Sequence, residues 1–217
     1  MFLHCIRIEK ILGIIRRPKD EMIQGVIDQM FSVLAEMTEE CVNLNQRGEV
    51  ELTADFQRAI APVLNQKFDL QTAREYTMGR AKKKIGETDL YFFTYKDGIK
   101  QEQYILENKI IDNFTDQYRQ LMGYLNPNFS AGITLSINTE KGWEEAYDYI
   151  SEKLNLMMET GETFAPVSIN RFNGDKGTRY IETEHVVPET GLTMPVYHLV
   201  LQLSDDDRLR AARKARK

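Results

Sequence analysis

Apolar positions recur along this chain with two periods, and the switches between them mark out the elements. Met22, Ile23, Val26, Ile27, Met30, Val33 and Leu34 return at helical spacing behind Asp20, a capping residue that follows Pro18, which predicts a helix over residues 21 to about 44. Phe56, Ile60, Val63 and Leu64 make the stripe of a further helix, capped by Thr53 and running from 54 to about 66, and residues 68–76 are expected to supply a strand. Residues 88–95 and 103–110 are rich in aromatic and β-branched side chains and bracket Asp97-Gly98, the pattern of an antiparallel hairpin. Asn113, with Asp116 three residues on, opens a helix whose core stripe is Phe114, Tyr118, Leu121, Met122 and Leu125. A buried strand over 131–138, a covering helix over 142–158 and a second hairpin over 179–187 and 192–203 complete the reading. Strands alternating with helices in this order predict an α/β fold.

The first hairpin carries the chemistry. A loop centred on Gly98 sets Asp89 opposite Glu107. Side chains alternate along a strand, so Glu107 and Lys109 share a face while Leu106, Asn108 and Ile110 point the other way. Two adjacent carboxylates repel unless a proton or a cation lies between them, and a hard divalent ion with oxygen ligands, Mg²⁺ or Mn²⁺, suits the pair. A lysine beside such a site would orient or deprotonate a water, or stabilise negative charge developing on a phosphate. The chemistry suggested is phosphodiester hydrolysis.

Gly86-x-x-Asp89, Glu107-x-Lys109 and Gln120-Leu121-Met122-Gly123-Tyr124 together resemble the GxxD, (D/E)xK and QxxxY motifs of the RecB-like branch of the PD-(D/E)xK nuclease superfamily, over roughly residues 50 to 140. The resemblance implies a restriction-endonuclease-like mixed central sheet flanked by helices, here with an N-terminal helical extension. It implies that Asp89, Glu107 and the Asn108 backbone carbonyl bind metal, that Lys109 serves the nucleophilic water, and that Gln120 and Tyr124 contribute to the site or hold nucleic acid. It further implies a DNA substrate and a prokaryotic or phage role in restriction, antiviral defence or repair. The chain also departs from the pattern. Thr88 stands where the superfamily name has proline, and the three histidines, His4, His185 and His198, lie outside the upstream helix that often adds a ligand. Glu51 or Asp55 is a substitute ligand from that helix; an ordinary first-turn acid favoured by the helix dipole is the alternative reading of each.

Charge refines the picture more than it drives it. The formal net charge is −5, so no whole-chain basic balance points to nucleic acid. Arg80, Lys82, Lys83 and Lys84 nevertheless stand directly before Gly86, where they are expected to contact DNA phosphates, and Gln117, which shares a helix face with Gln120 and Tyr124, is expected to contact nucleic acid with them. The basic residues of 208–217 read equally as a solvated helix face or a binding tail. Cys5 and Cys41 are the only cysteines and have no metal-ligand spacing, which predicts reduced thiols in a cytoplasmic protein. The absence of CxxC, HExxH and Ser-His-Asp patterns and of a Walker-type glycine loop argues against a zinc enzyme, a serine hydrolase and a P-loop enzyme.

The opening apolar residues are interrupted by Arg7, Glu9 and Lys10, too short and too charged for a membrane span, and read as an amphipathic helix ending at Pro18. The expected organisation is a helical extension over 1–47, a nuclease-like core over 48–160, and an added hairpin with a basic C-terminal helix over 161–217. Three roles stay open for the N-terminal helices: packing on the core, an interface for a homo-oligomer or larger complex, or connection to a larger multidomain protein. His185 and His198 are expected as surface or core histidines. The competing functional reading is a non-catalytic nuclease-fold subunit for nucleic-acid binding or assembly, against which stands its lack of any need for two adjacent carboxylates.

Overall fold

The computed structural model describes residues 21–40, 44–78, 86–174, 178–187 and 190–204. The opening helix, Cys5 and Cys41, the basic run at Arg80, Lys82, Lys83 and Lys84, and the C-terminal basic residues lie outside the described residues.

The chain forms helices α1 (Glu21–Glu39) and α2 (Glu49–Phe68), strands β1 (Gln71–Met78), β2 (Gly86–Lys96) and β3 (Ile99–Ile110), and helix α3 (Phe114–Tyr124) behind a single 3₁₀ turn. Strand β4 (Ala131–Asn138), helix α4 (Trp143–Thr160) and strands β5 (Ser168–Asn173), β6 (Arg179–Val186) and β7 (Thr193–Gln202) follow. All seven strands join one sheet in the order β1-β2-β3-β4-β7-β6-β5. The pairs β3–β4 and β4–β7 are parallel and the remainder antiparallel, so this is an α/β protein with a mixed sheet.

Helices cover both faces. Ile23, Val26, Ile27, Met30 and Leu34 of α1 and Phe56, Ile60 and Leu64 of α2 are buried with Leu90, Leu106, Leu135 and Leu199 of the sheet. On the other face α3 and α4 bury Phe114, Tyr118, Tyr147, Ile150 and Leu154 with Ile181 and Val200. Strand β4, central and covered on both faces, is buried at every position, as an interior parallel strand must be. Helix α1 packs on the sheet, one of the three roles open for the N-terminal helices.

Local chemistry explains where the boundaries differ from expectation. Helix α2 starts at Glu49, not 54, because Gly48 is its N-cap and the Glu51 carboxylate reaches back to the Gly48 N–H at 3.1 Å. Thr53, expected as the cap, sits inside the helix with its hydroxyl donated to the Glu49 carbonyl at 2.8 Å. Asp69, left-handed at φ 54°, ends α2 and delays β1 to Gln71. Strand β5 was not anticipated; its sequence SINRFN is an edge strand with weak alternation, exposed over most of its length.

The β2–β3 hairpin turns on Asp97 and Gly98, both at positive φ (53° and 75°), with Lys96 paired to Ile99. Continued without interruption, that two-residue loop would set Asp89 opposite Leu106. A β-bulge corrects it: Phe92 pairs with Tyr104 and Phe93 with Glu102, leaving Gln103 extra on β3, and the ladder beyond runs to Leu90–Leu106. The Gln103 carbonyl accepts the Ser130 N–H at 2.8 Å, which anchors the bulge. Asp89 and Glu107 are thereby the next residues to face each other.

Candidate metal centre

The sheet forks at this point. The β2–β3 ladder ends at Leu90–Leu106, whereas β2 goes on pairing with β1 as far as Met78–Gly86. Buried main-chain donors need partners, and past the last pair the two acids supply them. The Asn108 N–H donates to Asp89 Oδ2 at 2.7 Å, and the Asp89 N–H to Glu107 Oε2 at 3.4 Å. The N–H and C=O of one strand residue point to the same side, so the Asn108 carbonyl is directed towards Asp89 as well.

Glu107 is 1% exposed and Asp89 is half-buried, and their carboxyls are hydrogen-bonded to one another. Burial, then the Asp89 charge, pushes the Glu107 carboxyl up to about 9; the Asp89 N–H and Lys109 pull the other way without offsetting this. Burial raises Asp89 too, against the Asn108 N–H, Lys109, the Glu107 hydrogen bond and Arg74 of β1. The pair therefore demands a proton or a cation.

Lys109, 26% exposed, is the ammonium at the pair, and its Nζ stands 3.7 Å from Glu49 Oε1. Glu49, the first residue of α2, is the acid that this helix brings to β3. Glu51 and Asp55, the two acids expected there, are engaged elsewhere. Glu51 caps its own helix, and Asp55 is ion-paired with Arg47 and, at 2.8 Å, with Arg58.

The third motif divides. Gln120 Nε2 donates to the Tyr124 hydroxyl at 3.2 Å, and Tyr124 packs against the cluster containing Tyr91, Phe93 and Ile105 on the face that carries Asp89 and Glu107. No hydrogen bond among the described residues joins either to Asp89, Glu107 or Lys109. Gln117 is placed otherwise than expected: it is wholly buried, which removes it from any nucleic-acid surface. Its Nε2 donates to the carbonyls of Glu107 (2.7 Å) and Leu135 (2.9 Å), and its Oε1 accepts the Ser136 hydroxyl at 3.0 Å. Gln117 thus ties β3 to β4 directly behind Glu107.

His185 and His198 are core residues. They lie in a buried chain in which Thr134 Oγ1 meets His198 Nδ1 (2.8 Å), Thr183 Oγ1 meets His198 Nε2 (2.9 Å) and His185 Nε2 (2.8 Å), and His185 Nδ1 meets the Tyr118 hydroxyl (3.1 Å). Tyr118 donates to the Phe164 carbonyl. Counting protons along the chain from that end assigns His185 its hydrogen on Nδ1 and His198 on Nε2. Burial holds both imidazoles neutral, His185 down to about 3.

As a donor set, one buried and one half-buried carboxylate, a main-chain carbonyl turned towards them and an adjacent ammonium fit a hard divalent cation with oxygen ligands. Among the described residues no group of three or more histidine, cysteine, aspartate or glutamate side chains could hold a metal ion, so water and substrate oxygens would complete the shell. No helix among the described residues is long and apolar enough to cross a membrane. No protein family, no curated protein and no solved structure matches this chain.

Proposed function

We propose that this protein is a metal-dependent nuclease that hydrolyses phosphodiester bonds of DNA. The observation that carries the reading is the carboxylate pair at the β2–β3 fork, too deeply buried to remain unneutralised, with the Lys109 ammonium next to it. The succession α2-β1-β2-β3-α3-β4, with the acids on the second and third strands, supports a restriction-endonuclease-like core. Asp89, Glu107 and the Asn108 carbonyl would hold Mg²⁺ or Mn²⁺. A cation held there supplies Lewis acidity towards a phosphodiester oxygen. Lys109 would orient the attacking water or stabilise negative charge on the phosphate, Gln117 keeps the Glu107 backbone in register, and Gln120 and Tyr124 would border the substrate. Biological roles consistent with such an activity are prokaryotic or phage restriction, defence and repair.

The test is cleavage of linear and circular double-stranded DNA, single-stranded DNA and RNA with Mg²⁺ or Mn²⁺ against EDTA. Metal-dependent cleavage of DNA, lost in folded Glu107→Ala and Lys109→Ala, supports the reading. A non-catalytic nuclease-fold subunit is the second reading, favoured by the lack of a third acidic or imidazole ligand among the described residues. Absence of both cleavage and metal binding by calorimetry would favour it instead.

A further inference from the structure

Three consecutive residues of β3 converge on one residue of α2. Asn108 Nδ2 donates to the Glu49 carbonyl at 3.3 Å and also to the Thr53 hydroxyl. Lys109 Nζ faces Glu49 Oε1 at 3.7 Å, and the Ile110 N–H donates to Glu49 Oε2 at 3.3 Å. The first turn of α2 is therefore fastened to the strand that carries both Glu107 and Lys109. Asn108 makes this clamp from a fully buried position, with its Oδ1 lacking any hydrogen-bond partner among the described residues. An unsatisfied buried acceptor opposes folding, whereas the two amide donors of Asn108 are engaged by the clamp.

The arrangement orients a charge more than it stabilises the fold. The Glu49 and Lys109 side chains are 32% and 26% exposed, and an ion pair so open to water contributes little to stability. Lysine is a compact charge on a flexible four-carbon stem, so its own backbone position does not fix where the ammonium stands. Glu49 is different: one carboxylate oxygen is held by the Ile110 main chain, which leaves the other aimed at Lys109. Asp89 and Glu107 attract the same ammonium electrostatically.

We propose that Glu49 is a positioning residue for Lys109, holding its ammonium at the mouth of the β2–β3 fork between the α2 N-terminus and the carboxylate pair. The proposal deepens the nuclease reading and rests on it for its catalytic consequence. It requires Glu49 to act through Lys109 and not through the substrate.

Glu49→Gln tests it, since the amide keeps an acceptor for the Ile110 N–H and removes the charge. In the full chain, with folding verified by circular dichroism, kcat for DNA cleavage is expected to fall about twofold to fivefold, the rate equivalent of a lost, partly exposed ion pair, with KM unchanged. Glu49→Asp, which keeps the charge, should recover part of the loss. The second readout needs no activity: reductive methylation of Lys109, followed by peptide mass spectrometry, should be faster in Glu49→Gln than in the wild type. An unchanged kcat, or methylation of Lys109 no faster in Glu49→Gln than in the wild type, overturns the proposal while leaving the nuclease reading intact. If the wild type cleaves no substrate, the nuclease reading fails and the methylation rate alone decides whether Glu49 holds Lys109.

Discussion

Replacing Glu107 with glutamine removes a proton equilibrium and keeps the side-chain volume and the acceptor for the Asp89 N–H. In the metal-free protein the Glu107 carboxyl holds its proton up to about pH 9, against an ordinary value of 4.5. The folded state therefore binds more protons than the unfolded chain across that window. Its contribution to stability is complete below pH 4.5 and is lost as pH rises towards 9, at about 1.4 kcal/mol per pH unit. Between pH 5 and pH 7 that amounts to about 3 kcal/mol, undiminished by solvent screening because the side chain is 1% exposed. Asp89, also raised by burial, adds a change of the same sign. Urea denaturation in EDTA at pH 5 and pH 7 measures it: the wild type should lose about 3 kcal/mol relative to Glu107→Gln between those pH values. Mg²⁺ at pH 7 should restore the wild type and leave the variant little changed. A stability gap that stays constant with pH would refute the reasoning, for it would mean that Glu107 ionises in the folded protein as it does in water.

Three further outcomes follow from the same structure. Gln117→Ala leaves the Glu107 and Leu135 carbonyls and the Ser136 hydroxyl buried without their partner, and should cost about 3 kcal/mol or more in urea denaturation. His185 and His198 have lowered proton affinity in the fold, so the stability they contribute is complete above about pH 6.5 and is lost as pH falls towards 3; ¹⁵N NMR at pH 5 should show both neutral, His185 protonated on Nδ1 and His198 on Nε2, and an imidazolium at either position would contradict the assigned chain. Gly132→Ala would bring a methyl to 3.0 Å from Leu125 Cδ1 and 3.2 Å from Leu121 Cδ2, and should lower the thermal midpoint through overpacking of about 1–3 kcal/mol.

Much of this was legible before any fold was known. The period of apolar residues located α1, α3, α4 and β4, because a helix or strand that buries one face must repeat with its own geometry. Alternation along β3 put Glu107 and Lys109 on one face and Asn108 on the other, and Asp97-Gly98 marked the turn. These are local facts, set within a few residues by backbone sterics and side-chain direction.

The facing of Asp89 and Glu107 was anticipated, but by a symmetric loop that does not exist. The actual two-residue turn would misalign the acids, and the Gln103 bulge, anchored by Ser130 from beyond α3, restores them. Glu49, Glu51 and Asp55 look alike in sequence, three acids in the first turns of one helix. Only the packing of α2 against β3 turns Glu49 to Lys109 and leaves Glu51 to cap and Asp55 to Arg47 and Arg58. Gln117 looked like a neighbour of Gln120 and Tyr124 on one helix face, placed to contact nucleic acid, and proved to be the buried tie between β3 and β4. The sequence by itself determined which residues are apolar, where elements begin to repeat and which strands bear the acids. Tertiary structure decided the neighbours, because burial and contacts between residues tens of positions apart depend on how elements pack, and no local pattern carries that information.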